Sequence, residues 1–152
     1  MLTGCGLVES GISYPQLFDP CAPSEWEAVL TDTTYTMGNP TELLLPLALP
    51  LPNNPLGCSP HSPGYFDGKV AFVRRGSCTF DSKTVNAEDA GATAILIYND
   101  DRDIPGLMAL TGTSRKPNIP GWIISKEMGE ALASRLQADE ALTVFCQWKP
   151  VK

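Results

Sequence analysis

The chain has 152 residues, 43% of them hydrophobic, which suits one domain with its own core. A formal net charge of −6 with only 18% charged residues gives a surface that repels phosphate backbones and anionic lipid, so neither nucleic acid nor membrane is an expected partner. Five cysteines, one histidine and no CxxC pair argue against a zinc site and for disulfides, hence for a secreted, luminal or extracellular ectodomain.

In chain order, residues 1–24 hold turn residues with Cys5 and Cys21 and read as an irregular N-terminal arm that needs tying down. The tetrapeptide LTGC at 2–5 has the look of a lipobox but lacks a preceding apolar region, so it reads as chance, and no signal peptide is visible. Strand pieces are expected around Trp26, Val29 and Tyr35. The run LLLPLALPL at 43–51 is too short to span a bilayer and is broken by Pro46 and Pro50. Since proline cannot donate to a ladder, this run is expected as an edge strand or a polyproline-like segment. A loop follows, ending in the Asp67-Gly68 turn.

KVAFVRRG is then a short strand stopped by Gly76. Thr79 can cap a helix from about Phe80 to Ala90, with Gly91 just past its end. ATAILIYN is apolar enough to be a strand buried on both faces. Strand, helix and strand in about 30 residues make a right-handed parallel crossover. After the polar loop NDDRDIPG comes another strand, IPGWIIS. Ser125 caps a second helix with Met128, Leu132 and Leu136 on one face, and LTVFCQW closes the chain as a strand. Residues 1–42 thus read as an arm with first strands packed on a body of 43–152, together one structural domain.

GCSP, FDGKVAFVRRGSCTFDSK, NAEDAGATAILIYND and IPGWIISKEMGEAL, in this order and spacing, resemble the protease-associated (PA) domain family. Arg75, Gly76, Cys78, Phe80, Lys83, Ala90, Gly91 and Ala92 occupy the positions of its pattern. The resemblance implies an α+β, or mixed α/β, class: a swivelling β/β/α domain with one mixed sheet and two main helices. It also implies a non-catalytic role, binding proteins or peptides in a secreted or membrane-anchored protein. The alternative is a regulatory, substrate-gating insert of a secreted protease. No cofactor is implied.

The residues themselves offer little catalysis. Cys78, beside a helix N-terminus, Arg74 and Arg75, could have a depressed pKa. It would need a base, and the sole imidazole, His61, lies in SPHSP with no acid nearby; His61 is expected as an exposed loop residue. The resemblance instead pairs Cys78 with Cys58, closing a loop of about 20 residues worth on the order of 3 kcal/mol. Cys146 is then expected to pair with an N-terminal cysteine, Cys21 rather than Cys5, leaving Cys5 free near the frayed end. Ser77, Ser82 and Ser125 lack a Gly-x-Ser-x-Gly elbow.

The carboxylates of NDDRD could hold Ca²⁺, but their spacing fails the EF-hand pattern and a solvated loop is preferred, so no metal is expected. Arg74 and Arg75 make a weak anion site before a helix. Trp26, Trp122 and Trp148 are expected in the core. The loop after ATAILIYN sits where open α/β sheets place ligands. Asp100, Asp101, Arg102 and Asp103 are therefore the candidate ligand-binding residues, with a preference for basic peptides expected from the net charge.

Overall fold

The computed structural model describes residues 4–8, 16–26, 42–112 and 114–147. The strands are β1 (Gly4–Val8), β2 (Gln16–Leu17), β3 (Cys21–Pro23), β4 (Glu42–Ala48), β5 (Val70–Arg74), β6 (Ala94–Tyr98), β7 (Gly121–Ile124) and β8 (Thr143–Gln147); the helices are α1 (Phe80–Asp89) and α2 (Lys126–Gln137). The strands form one mixed sheet in the order β2-β1-β8-β4-β5-β6-β7-β3. β4 to β7 run parallel, while the β1, β2 and β8 flank and β3 pair antiparallel. This is the mixed α/β architecture read from the sequence.

Alternation along the parallel strands sorts two cores. Val70 and Phe72 of β5, Ala94 and Leu96 of β6, and Trp122 and Ile124 of β7 pack with Leu132 and Ala133 of α2 and with the β1, β4 and β8 side chains. Ala71, Val73, Ile95, Ile97 and Ile123 face the other way, against Ala87 of α1, Phe66 and Trp26. β5 and β6 are buried at nearly every position because helices cover both faces.

Both helix starts follow local chemistry. The Thr79 and Ser125 side chains accept from Ser82 N and Met128 N, and Gly91 takes φ +94° just after α1. Met128, expected on the buried face of α2, is 38% exposed; the face that packs is Gly129, Leu132 and Ala133. A Cβ at Gly129 would overlap the Tyr98 side chain, so glycine lets α2 settle onto β6.

Two expectations are corrected. Residues 43–48 are not an edge or a polyproline segment: β4 is an interior strand between β8 and β5. Pro46 is tolerated because the pairing with β5 opens only at Leu47↔Val70. Leu47 N donates towards β8, to Leu142 O, so by alternation the nitrogen of Pro46 faces the side that has no ladder yet. The second correction concerns the cysteines. Cys146 is bridged to Cys5, and Cys21 is the free thiol. Register decides this: β1 lies against β8 with Cys5 directly opposite Cys146, whereas β3 places Cys21 opposite Ile124. Cys5 is also fully buried rather than frayed.

Trp26 and Trp122 are buried, and Trp26 Nε1 donates to Ile119 O. Val29, Tyr35 and Trp148 lie outside the described residues.

Candidate ligand-binding site

β5, β6 and β7 deliver their carboxyl ends to one rim, formed by the turn 75–79, the loop 99–112 and the start of α2. Arg75 N donates to Tyr98 O, and its guanidinium reaches Asn99 Oδ1 at 3.0 Å and Asp103 O at 3.2 Å while lying 5.0 Å over the Phe80 ring. Asn99 is 4% exposed and its amide donates to Arg102 O. One buried amide thus ties the loop to Arg75 and to itself.

The four candidate residues of this loop are brought together, but two of their carboxylates already have cations. Asp100 takes Arg102 side-on, with Nε at 3.1 Å and Nη2 at 2.7 Å. That hydrogen bonding holds the Asp100 carboxyl well below the usual carboxylate range. Asp101 meets Lys126 Nζ at 2.6 Å, which lowers its pKa too. Both pairs are solvent-exposed and contribute little stability; what they do is cancel charge.

Beneath the rim lies a buried ammonium. Lys83 of α1 is fully buried, and its Nζ donates to Leu56 O at 2.6 Å, Arg74 O at 2.8 Å and Gly76 O at 2.9 Å, with Cys58 Sγ at 3.7 Å. Three backbone carbonyls replace its hydration. The positive φ of Gly76 and Ser77 turns the chain sharply here. The bridge Cys58–Cys78 closes the same knot. Cys78 is therefore a disulfide sulfur, not a nucleophile.

His61 departs from expectation: it is half-buried, not exposed. Its ring packs edge-on to Phe66 at 4.8 Å, its Nδ1 lies 3.3 Å from the Asn54 amide, and burial lowers its pKa. The loop SPHSP thus turns its ring onto Phe66, which composition alone did not reveal. No carboxylate hydrogen-bonds the ring among the described residues.

The far side of the loop is fastened to α1 and to the N-terminal segment. The Asp81 carboxylate, buried at the helix start, accepts from Thr111 Oγ1 at 3.0 Å; Ser82 Oγ and Ser114 Oγ are 2.8 Å apart. Burial alone would raise the Asp81 pKa, yet hydrogen bonds from Thr79 and Thr111 outweigh it and the net shift is downward. Glu25 accepts from Leu110 N, and Met108 N donates to Pro23 O. Asp81, Asn99 and the role of Lys83 were not singled out from sequence; a polar residue next to a run of buried apolar ones was the available signal. Of the serines, Ser125 caps α2, Ser82 bonds Ser114, and Ser77 is exposed in its turn. No group of three His, Cys, Asp or Glu among the described residues could hold a metal.

A sequence profile of the PA domain matches residues 43–132, more than half of the chain. The chain belongs to the PA domain family. Among relatives of this PA domain, Signal peptide peptidase-like 3 of Arabidopsis thaliana is 39% identical over 80 residues, covering 52% of this chain and 15% of the relative. Aminopeptidase YwaD of Bacillus subtilis is 39% identical over 100 residues, covering 65% of this chain and 22% of the relative. Among solved structures, a zinc aminopeptidase from Bacillus subtilis superposes with TM-score 0.61 at 25% identity, covering 98% of this chain and 31% of the other. The PA domain thus spans less than a third of the length of each relative named here. No described helix is long and apolar enough to cross a membrane.

Proposed function

We propose that this PA domain is a non-catalytic protein- or peptide-binding unit of a secreted, luminal or membrane-anchored protein. One observation carries the reading: the candidate nucleophile and base singled out above, Cys78 and His61, are committed to structure. Cys58 and Cys78 are bridged, and His61 is packed on Phe66 beside an amide rather than an acid. The two disulfides support an oxidising compartment. The second reading, a substrate-gating part of a peptidase, is favoured by the aminopeptidases among its relatives, of which it would form a minor share.

The ligand surface proposed with this reading is the rim that carries Asp100, Asp101, Arg102 and Asp103. Arg102 and Lys126 match the charges of Asp100 and Asp101. A preference for basic peptides would therefore act mainly through the field of the whole chain, at net charge −6, and weaken with salt. The test is a titration of basic and neutral peptides of matched length against wild type and a triple Asp100→Asn, Asp101→Asn, Asp103→Asn variant. Binding without turnover, several-fold weaker for basic peptides in the variant at low salt, is expected. Equal affinity of both proteins at low and high salt would put the surface elsewhere; hydrolysis of any peptide would refute the non-catalytic role.

A further inference from the structure

The loop before β5 holds the lone histidine of the chain in one protonation state, and Asn54 decides which. Asn54 Oδ1 accepts from Ser59 N at 3.2 Å and its Nδ2 donates to Ser59 O at 2.7 Å. Turning the amide over would set donor against donor and acceptor against acceptor, so its orientation is fixed. The same Nδ2 lies 3.3 Å from His61 Nδ1. An amide nitrogen only donates, so His61 Nδ1 accepts, and the neutral ring carries its hydrogen on Nε2. Nε2 is sealed from solvent beside Gly57 and meets no acceptor among the described residues.

Protonation does not fit this arrangement. A hydrogen on Nδ1 would face the hydrogens of the Asn54 amide, and the one on Nε2 would stay without a partner, now on a charged ring. Nothing nearby compensates. The Tyr65 hydroxyl donates to Leu49 O, Lys83 of α1 is capped by the Leu56, Arg74 and Gly76 carbonyls, the Asp67 carboxylate lies against Gly64 and Gly91, and β5 offers Val73, which does not titrate. Burial is accordingly the one cause of the lowered His61 pKa, with no charged group of a neighbouring element opposing it. The loop is fixed on either side of the ring, at Cys58 by its bridge to Cys78 and at Phe66 N by Ala90 O. Between these points, residues 59–63 make no backbone hydrogen bond to a strand or helix among the described residues. What holds them down is the Asn54 amide and the packing of the ring on Phe66 and Tyr65.

We propose that His61 is an acid-released latch: the neutral ring fastens residues 59–63 onto Phe66 and Tyr65, and the protonated ring leaves for solvent. Outside, both ring nitrogens donate to water, which the closed site does not allow. The released ring titrates near the ordinary value of 6.5 and the latched ring lower. Between the two values the released state binds more protons, so closure is complete above about 6.5 and is lost as pH falls through the latched value. The movement is local because the bridge and the Phe66 backbone stay in place. The same loop reaches the rim through Leu56, whose carbonyl caps Lys83 and whose side chain lies beside Gly76. The inference stands apart from the peptide-binding reading and needs no ligand.

A lone histidine gives one imidazole spectrum, so proton and nitrogen NMR follow it directly. Wild type, His61→Gln and Asn54→Asp are titrated from about pH 8 to about pH 4, a span around the ordinary histidine value. In wild type the nitrogen shifts should report the Nε2–H tautomer at the alkaline end and a pKa below 6.5. Cross-peaks from His61 to Phe66 should vanish on protonation while the signals of the core residues Trp26 and Trp122 hold still. The Tyr65 and Phe66 ring signals should shift with the same midpoint, and should not do so in His61→Gln. Asn54→Asp sets a carboxylate against Nδ1, so it should raise the pKa above 6.5 and keep the cross-peaks in acid. A wild-type pKa at or above 6.5 would overturn the latch. So would cross-peaks that survive protonation, or tryptophan signals lost together with them, which is global unfolding. If Asn54→Asp does not fold, the wild-type titration decides alone.

Discussion

Replacing Lys83 by Met tests whether the buried ammonium organises the rim. Met keeps the length of the side chain and removes the charge. Three part-buried carbonyls, on Leu56, Arg74 and Gly76, lose donors now at 2.6–2.9 Å. At roughly 1–2 kcal/mol each, that is a loss of about 3–6 kcal/mol. Relief from burying a cation returns roughly 1–3 kcal/mol of it. The net expectation is a destabilisation centred at about 2–3 kcal/mol, within limits of roughly 0–5 kcal/mol. Urea unfolding at pH 7 with the disulfides intact measures it, and a variant more stable than wild type would refute the reasoning. The pH dependence gives a second check. Burial pushes the Lys83 ammonium down to about 8, below its value of about 10.5 in an unfolded chain. Between those values the unfolded chain binds more protons, so stability rises with pH; this contribution is complete above the unfolded value and is lost as pH falls through about 8. The advantage of wild type over Lys83→Met should therefore grow from pH 7 to pH 10. A shrinking advantage would mean that the fold raises the Lys83 pKa rather than lowering it.

Gly129→Ala should destabilise by about 1–3 kcal/mol despite alanine's better helix propensity, because the new methyl overlaps Tyr98 and α2 must lift off β6; an unchanged or raised melting temperature would contradict the close approach. The Cys21 thiol, pushed up to about 11 by burial, should resist iodoacetamide at pH 8 in the native protein and react readily once unfolded without reductant. Mass spectrometry should find Cys21 as the alkylated site, and fast native labelling, or label on Cys5 or Cys146, would refute the assignment.

What the sequence made legible was local. The crossover from β5 through α1 to β6 could be read because apolar runs, a capping threonine and a closing glycine lie within about 30 residues of one another. Ser125 and α2 were legible for the same reason. The misplacements of β4 and Cys5 share a cause: each depends on a partner far along the chain. Pro46 forbids a ladder on one side only, and which side is empty depends on where β5 begins pairing. Cysteine pairing was set by the β1–β8 register, 141 residues apart, which no local pattern encodes. At the rim, the residues of NDDRD were singled out by position alone; the pairing of Asp100 with Arg102 is local, but that of Asp101 with Lys126 needed α2 to be docked on β6. His61 shows the limit of reading flanking prolines as exposure, since a bent loop can fold its ring inward.

The bridge between Cys5 and Cys146 makes nearly all of the described chain a covalent ring. A single cut in any exposed loop of that ring opens it without releasing a piece, and the two segments stay at high effective concentration for re-pairing. The shorter ring closed by Cys58 and Cys78 guards the turn beside Lys83 in the same way. In surroundings rich in peptidases the fold can therefore be nicked once and remain one molecule, and a second cut or reduction of the bridge is needed to free a fragment.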